Sequence, residues 1–90
     1  MKIEWAPSKA EENLAKHGVS FEEAATVFRD TLSMTGVDPD HSVGEERFVI
    51  FGISTSGRLI VVSHTERGDT IRIISARPVR PAEGMIYEEG

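Results

Sequence analysis

Polar and apolar residues alternate in Lys2-Ile3-Glu4-Trp5 until Pro7, which lacks the amide that a ladder needs, so the chain is predicted to open with a short edge strand. The period then lengthens to that of a helix. Ser8-Lys9-Ala10-Glu11 has the form of a capping box and predicts a helix with Ala10, Leu14 and His17 on one face, closed by Gly18 in the left-handed conformation. Ser20-Phe21-Glu22-Glu23 repeats the capping signal. Beyond it Phe21, Ala24, Ala25, Val27 and Phe28 form one apolar stripe, which predicts a second helix from Phe21 to about Arg29. The short link Gly18-Val19-Ser20 predicts that the two helices turn back on each other as a hairpin covering one side of a sheet.

From Leu32 the period falls to two, and Leu32–Val37 reads as a strand followed by turn residues from Asp38 to Gly44. Arg47–Ile53 and Leu59–His64 are apolar on both faces, as in central strands, with Ser54-Thr55-Ser56-Gly57 as their hairpin link. A last hairpin turns at Gly68-Asp69. If that turn has two residues, Arg67 opposes Thr70 and Thr65 opposes Arg72, which puts Arg67 and Arg72 on the same face. Arg77-Pro78 ends the strand, and Pro81–Tyr87 is predicted to form a short C-terminal helix, weakened by Gly84.

Ninety residues with 39% hydrophobic and 28% charged side chains suit one soluble domain, 1–90, with a modest core. No cysteine is present, and His17, His41 and His64 are dispersed, so neither a disulfide nor a metal centre is predicted. No run approaches the ~18 apolar residues of a membrane span, which predicts a cytoplasmic protein without membrane contact. The net charge of −5 is unevenly spread: residues 58–80 carry +3, from Arg58, Arg67, Arg72, Arg77 and Arg80 against Glu66 and Asp69. Guanidinium groups suit bidentate binding of phosphate or carboxylate, so an anion is expected there, either a ligand or the protein's own carboxylates. Any nucleic-acid contact must be local to this region. Arg58, next to a turn, reads as solvated, Trp5 as a packing residue and His64 as a structural histidine.

Six words occur in order: Trp5-Ala6-Pro7-Ser8-Lys9, the run from Asn13 through Lys16-His17-Gly18 to Ala24, Phe28-Arg29-Asp30, Asp40-His41-Ser42, Glu46-Arg47, and Arg72-Ile73-Ile74-Ser75-Ala76-Arg77. Together they closely resemble the BrnT toxin family over nearly the whole chain. The resemblance implies an α+β fold of the RelE/ParE-like kind, a small antiparallel sheet packed against an N-terminal helical hairpin. It also implies a ribonuclease toxin of a type II toxin–antitoxin pair, neutralised by a BrnA-like antitoxin with a ribbon-helix-helix DNA-binding domain. DNA would then be reached only through the antitoxin, in an assembly of two toxins with an antitoxin dimer. Ala6 stands where the family usually has aspartate, and the C-terminal segment keeps Glu83 and Tyr87 without the arginines usual around them.

Metal-independent RNA cleavage needs a base for the 2′-hydroxyl proton, cations around the phosphate and an acid for the departing oxygen. Arg67 and Arg72, with Arg77 at the strand end, are the expected phosphate binders; pairing with Glu66, Asp69 or Glu83 is the structural alternative. Lys16 and His17 close the first helix, where a cation favours the helix dipole, and the resemblance adds a functional role, with His17 the acid–base candidate by virtue of its near-neutral pKa. Glu83 and Tyr87, one helical turn apart, would assist proton transfer or stack a base. The competing expectation is an attenuated or non-catalytic antitoxin-binding module acting in autoregulation, favoured by the net charge and the missing C-terminal arginines. A small-molecule enzyme is disfavoured because no glycine-rich phosphate loop or cofactor motif is present.

Overall fold

A computed structural model describes residues 1–38 and 44–80 of the chain. In chain order these form β1 (Lys2–Glu4), α1 (Pro7–His17), α2 (Phe21–Thr26) running into a single 3-10 turn (Val27–Arg29), β2 (Met34–Val37), β3 (Arg47–Ile53), β4 (Leu59–Arg67) and β5 (Thr70–Pro78). The predicted C-terminal helix falls outside the described residues. One sheet results, ordered β1-β5-β4-β3-β2.

The sheet is mixed where an antiparallel one was expected: β1 runs parallel to β5, with Ile3 opposite Ile71 and Glu4 opposite Arg72. The helices follow a strand, as the opening alternation predicted, and so do not lead the fold as the N-terminal hairpin that the resemblance implied. They share one face of the sheet, α1 over β5 and the α2 segment over β5 and β3, and touch each other little. The predicted hairpin is thus two helices seated separately on a sheet. Asn13 explains why, because this buried side chain ties α1 to β5 directly. Its amide nitrogen donates to the carbonyl oxygens of Ala76 (2.8 Å) and Val19 (2.9 Å), and its oxygen accepts from the Ala76 amide (3.0 Å). β1 covers only three residues of the β5 edge, and Asn13 satisfies the backbone beyond it. The inward stripe of α1 is therefore Ala10, Asn13 and His17, whereas Leu14, expected inside, is 53% exposed.

The start of α1 also differs from expectation. Ala6 is the N-cap, without a side-chain bond, and Pro7 is the first helical residue. Proline's fixed φ and missing N–H suit that position, which displaces Ser8 from the cap. At the other end Gly18 closes the helix with φ 69°, as predicted, and its amide donates to Leu14. Ser20 caps α2 by accepting from the Glu23 amide (3.0 Å), but the Glu23 carboxylate does not complete a capping box. It reaches Ser54 (2.7 Å), Ser56 and Arg58 at the β3–β4 turn.

Val19, Phe21, Ala24 and Val27 from the helical layer meet Ile50, Ile60, Val62, Ile73 and Ala76 from the sheet to make the core, with Trp5 edge-on to Phe21 at 5.9 Å. Burial of a side chain the size of Phe21 contributes about 1.5–3 kcal/mol. The 3-10 turn lies so close to β3 that a Cβ on Gly52 would meet Val27 Cγ1 at 2.8 Å, which explains a glycine inside a central strand.

β4 and β5 pair from Arg67 opposite Thr70 through Thr65 opposite Arg72, as the two-residue turn predicted. Between His64 opposite Ile73 and Ser63 opposite Ser75 the register slips, leaving Ile74 as an extra residue on β5. This bulge resets the alternation. Ile71, Ile73 and Ala76 are all buried under the helices, while Arg72 and Arg77, five residues apart, come to lie on the other face together.

Candidate functional site

The sheet face away from the helices carries the chemistry. At its β4–β5 hairpin end it forms an open basin of about 770 Å³, lined by Lys9, Arg47, Arg67 and Arg72 with Glu4 and Glu45. Four strands and one helix supply these groups. Arg67 ends β4, Arg72 lies two residues into β5, Glu4 ends β1, and Arg47 begins β3 just after Glu45. Lys9 enters from the first turn of α1, which starts immediately beyond β1 because Pro7 stops that strand.

Arg67 and Arg72 are on one face, as predicted, and both are held by carboxylates of the chain itself. Arg67 grips Glu45 with two parallel bonds, Nε to Oε1 at 3.0 Å and Nη2 to Oε2 at 2.6 Å. Arg72 donates from Nη1 to Glu4 Oε2 at 2.7 Å. The structural alternative expected Glu66, Asp69 or Glu83 as partners; Glu45 and Glu4 take that place, and Glu66 instead accepts from His64. The Arg67 hydrogen bonds hold the Glu45 carboxyl below its ordinary range, and the same contact raises Arg67. Arg67 is 78% and Arg72 52% exposed. Solvent screens exposed pairs of this kind, and they add little to stability. Four cations against two carboxylates leave the basin net positive in an acidic protein.

Arg77 shares the face but stands four ladder steps from Arg72, ~13 Å at strand rise. Its Nη1 donates to the Pro78 carbonyl at 3.3 Å. Lys16 and His17 are not brought to Arg67 and Arg72. They end α1, ~15 Å from its start at the basin, and the neighbouring Gly18 carbonyl accepts from Arg58 at the opposite end of β4 (3.0 Å). His41, Glu83 and Tyr87 lie outside the described residues.

Two histidine and arginine assignments are settled by geometry. His64 is fully buried, stacked on Phe48 at 5.8 Å and edge-on to Phe28 at 4.9 Å, with Nε2 bonded to Glu66 Oε2 at 2.9 Å. That is a structural histidine, as expected, although its buried Nδ1 has no hydrogen-bond partner among the described residues. Arg58, expected to be solvated, instead clamps Glu23 with Nη2 to Oε1 at 2.6 Å and Nε to Oε2 at 3.0 Å. The Arg58 guanidinium is the main reason that the Glu23 carboxyl is lowered from 4.5 to about 2, helped by Ser56 and Ser54 and opposed by burial.

The basin also holds groups that sequence reasoning missed: Glu4, Lys9, Glu45 and Arg47. Only a parallel contact between residues 68 apart reveals that Glu4 faces Arg72. For Arg47 the available signal was its place at the head of an apolar strand, where a cation must face either solvent or a site. Among the described residues, no three His, Asp or Glu side chains gather as a metal site, and no helix is long and apolar enough to cross a membrane.

Comparison with known proteins gives a consistent picture. A family model described as the ribonuclease toxin BrnT of type II toxin–antitoxin systems matches residues 5–83. Among solved structures, the chain is similar to the Brucella abortus ribonuclease toxin BrnT, with 30% identity and a TM-score of 0.66 over 89% of this chain and 97% of that one. No curated protein sequence matches.

Proposed function

The chain belongs to the BrnT family of ribonuclease toxins of type II toxin–antitoxin systems, and from that premise we propose that it is an endoribonuclease whose scissile phosphate sits in the basin at Arg67 and Arg72. The observation that carries the proposal is the convergence of Lys9, Arg47, Arg67 and Arg72 on one open sheet face of an acidic protein. Attack by the RNA's own 2′-hydroxyl builds negative charge on the non-bridging oxygens, and two planar guanidinium groups match that charge. Because the nucleophile comes from the substrate, no metal is needed to generate one. Arg77, on the same face, extends the phosphate track along β5.

The RelE/ParE-like architecture, the cytoplasmic location, the BrnA-like ribbon-helix-helix antitoxin and the assembly of two toxins with an antitoxin dimer belong to the same proposal. So do Glu83 and Tyr87 as C-terminal contributors. Lys16 and His17, at the far end of α1, suit contacts away from the scissile phosphate. One observation favours a second reading: Glu45 and Glu4 already occupy Arg67 and Arg72, and acidic antitoxin side chains would fit those guanidiniums equally well. The chain would then act as an attenuated antitoxin-binding module.

Purified protein freed of antitoxin is expected to cut RNA in the presence of EDTA, leaving 2′,3′-cyclic phosphate and 5′-hydroxyl ends. Arg67→Ala with Arg72→Ala should lower the rate by ~10²–10³ or more, the scale of losing a charge-stabilising donor, while antitoxin binding survives. Intact RNA with the wild-type chain refutes the nuclease. Loss of antitoxin binding alone in the double variant favours the module.

A further inference from the structure

We propose that the Glu4 carboxylate is the proton acceptor of the cleavage reaction, an assignment that rests on the nuclease reading above. Two carboxylates lie in the basin, and their bonding separates their roles. Glu45 has both oxygens engaged by Arg67 and is drawn further down by Thr65 and Arg47. A carboxylate so fully committed is a poor base and a good brace for the guanidinium. Glu4 commits one oxygen, Oε2, to a single nitrogen of Arg72. Glu4 itself lines the basin, and the bonds among the described residues leave its Oε1 uncommitted.

The sharing of Arg72 sets the geometry. With Nη1 on Glu4, the guanidinium keeps its other N–H groups for a phosphate. A phosphate received there lies beside the carboxylate, with one planar group holding both. That is the arrangement a base needs in order to reach the 2′-hydroxyl of the nucleotide whose 3′-phosphate is bound. The backbone fixes it from two sides, since Glu4 opposes Arg72 in the parallel β1–β5 pairing and Pro7 ends β1 three residues later. Among the described residues that line the basin with Glu4, Arg72 from β5, Arg67 from β4, Lys9 from α1 and Arg47 from β3 are cationic and Glu45 is anionic.

In the step itself, the 2′-O–H proton passes to the free oxygen of Glu4 as the 2′-oxygen forms a bond to phosphorus. The P–O5′ bond breaks, and O5′ leaves with the electron pair and takes a proton from a water molecule. Glu4 returns its proton to the resulting hydroxide. The products are a 2′,3′-cyclic phosphate and a 5′-hydroxyl, with no net proton change.

The test is the Glu4→Gln variant, with Glu4→Asp beside it and exposed Glu22→Gln as a charge-matched control, all checked for folding by circular dichroism. Glu4→Gln should reduce kcat by ~10²-fold or more, the contribution of a positioned base, with KM unchanged or lower because an anion has left the basin. The acidic limb of its pH–rate profile should disappear. Glu4→Asp should retain part of the rate and keep the limb. A folded Glu4→Gln variant with kcat within about threefold of wild type, or faster, shows that Glu4 merely occupies Arg72 and overturns the assignment while leaving the nuclease standing. An inert wild-type chain overturns both.

Discussion

Replacing Glu23 by glutamine should cost the fold stability at neutral pH and leave it unchanged in acid. The Glu23 carboxyl is held at about 2 in the folded chain against 4.5 unperturbed, mainly by Arg58. At 1.36 kcal/mol per pH unit, that difference has an upper bound of about 3–4 kcal/mol. Arg58 is 42% exposed, and solvent screening of such a partner reduces the expected contribution to ~1–2 kcal/mol. Because the folded-state value is depressed, the stabilisation is fully present above the unfolded value near 4.5 and is lost as pH falls toward 2. Urea unfolding of wild type and Glu23→Gln across pH 2–7 gives the difference directly, with the other carboxylates cancelling. The two proteins should differ by ~1–2 kcal/mol at pH 6–7 and converge near pH 2. A difference that is constant across the range, or absent at pH 7, would refute the linkage. The contact matters to the site because it pins α2 and the Gly18 carbonyl to the β3–β4 turn.

Two further substitutions test the packing that presents the basin. Asn13→Leu removes both bonds to the Ala76 peptide and strands buried backbone groups, so chemical denaturation should show a loss of ~2–4 kcal/mol, well above that of an ordinary surface change. Gly52→Ala forces a Cβ to within 2.8 Å of Val27 and should lower stability by ~1–3 kcal/mol in the same assay; an unchanged midpoint would show that the 3-10 turn yields freely.

What the sequence disclosed was governed by local rules. Arg47–Ile53 was readable as a strand to the residue, because an apolar run between turn residues has one outcome. The Gly68-Asp69 turn fixed the β4–β5 register, and with it the shared face of Arg67 and Arg72. Ser20 and Gly18 acted as caps where their side chain or positive φ demanded it. Nonlocal features stayed hidden. The parallel β1–β5 contact that brings Glu4 to Arg72 joins the two ends of the described chain, and no local pattern encodes it. The bulge at Ile74 changes the face of Arg77, yet Ile73-Ile74 looks like uninterrupted strand. Asn13 was overlooked because helical periodicity ranks apolar residues, whereas this position was chosen for its hydrogen bonds to a strand edge. Arg58 looked solvated for a related reason, since its partner Glu23 lies 35 residues away on another element.

RNA phosphate should displace the Glu45 and Glu4 carboxylates from Arg67 and Arg72. An NMR titration of the arginine side-chain Nε–H signals with a short RNA, blocked against cleavage by 2′-O-methylation, reads this exchange residue by residue. The largest shifts are expected at Arg67 and Arg72, with Arg58 unmoved because Glu23 holds it. Shifts confined to arginines outside the basin, or none at any arginine, would contradict the assignment of the basin as the phosphate site.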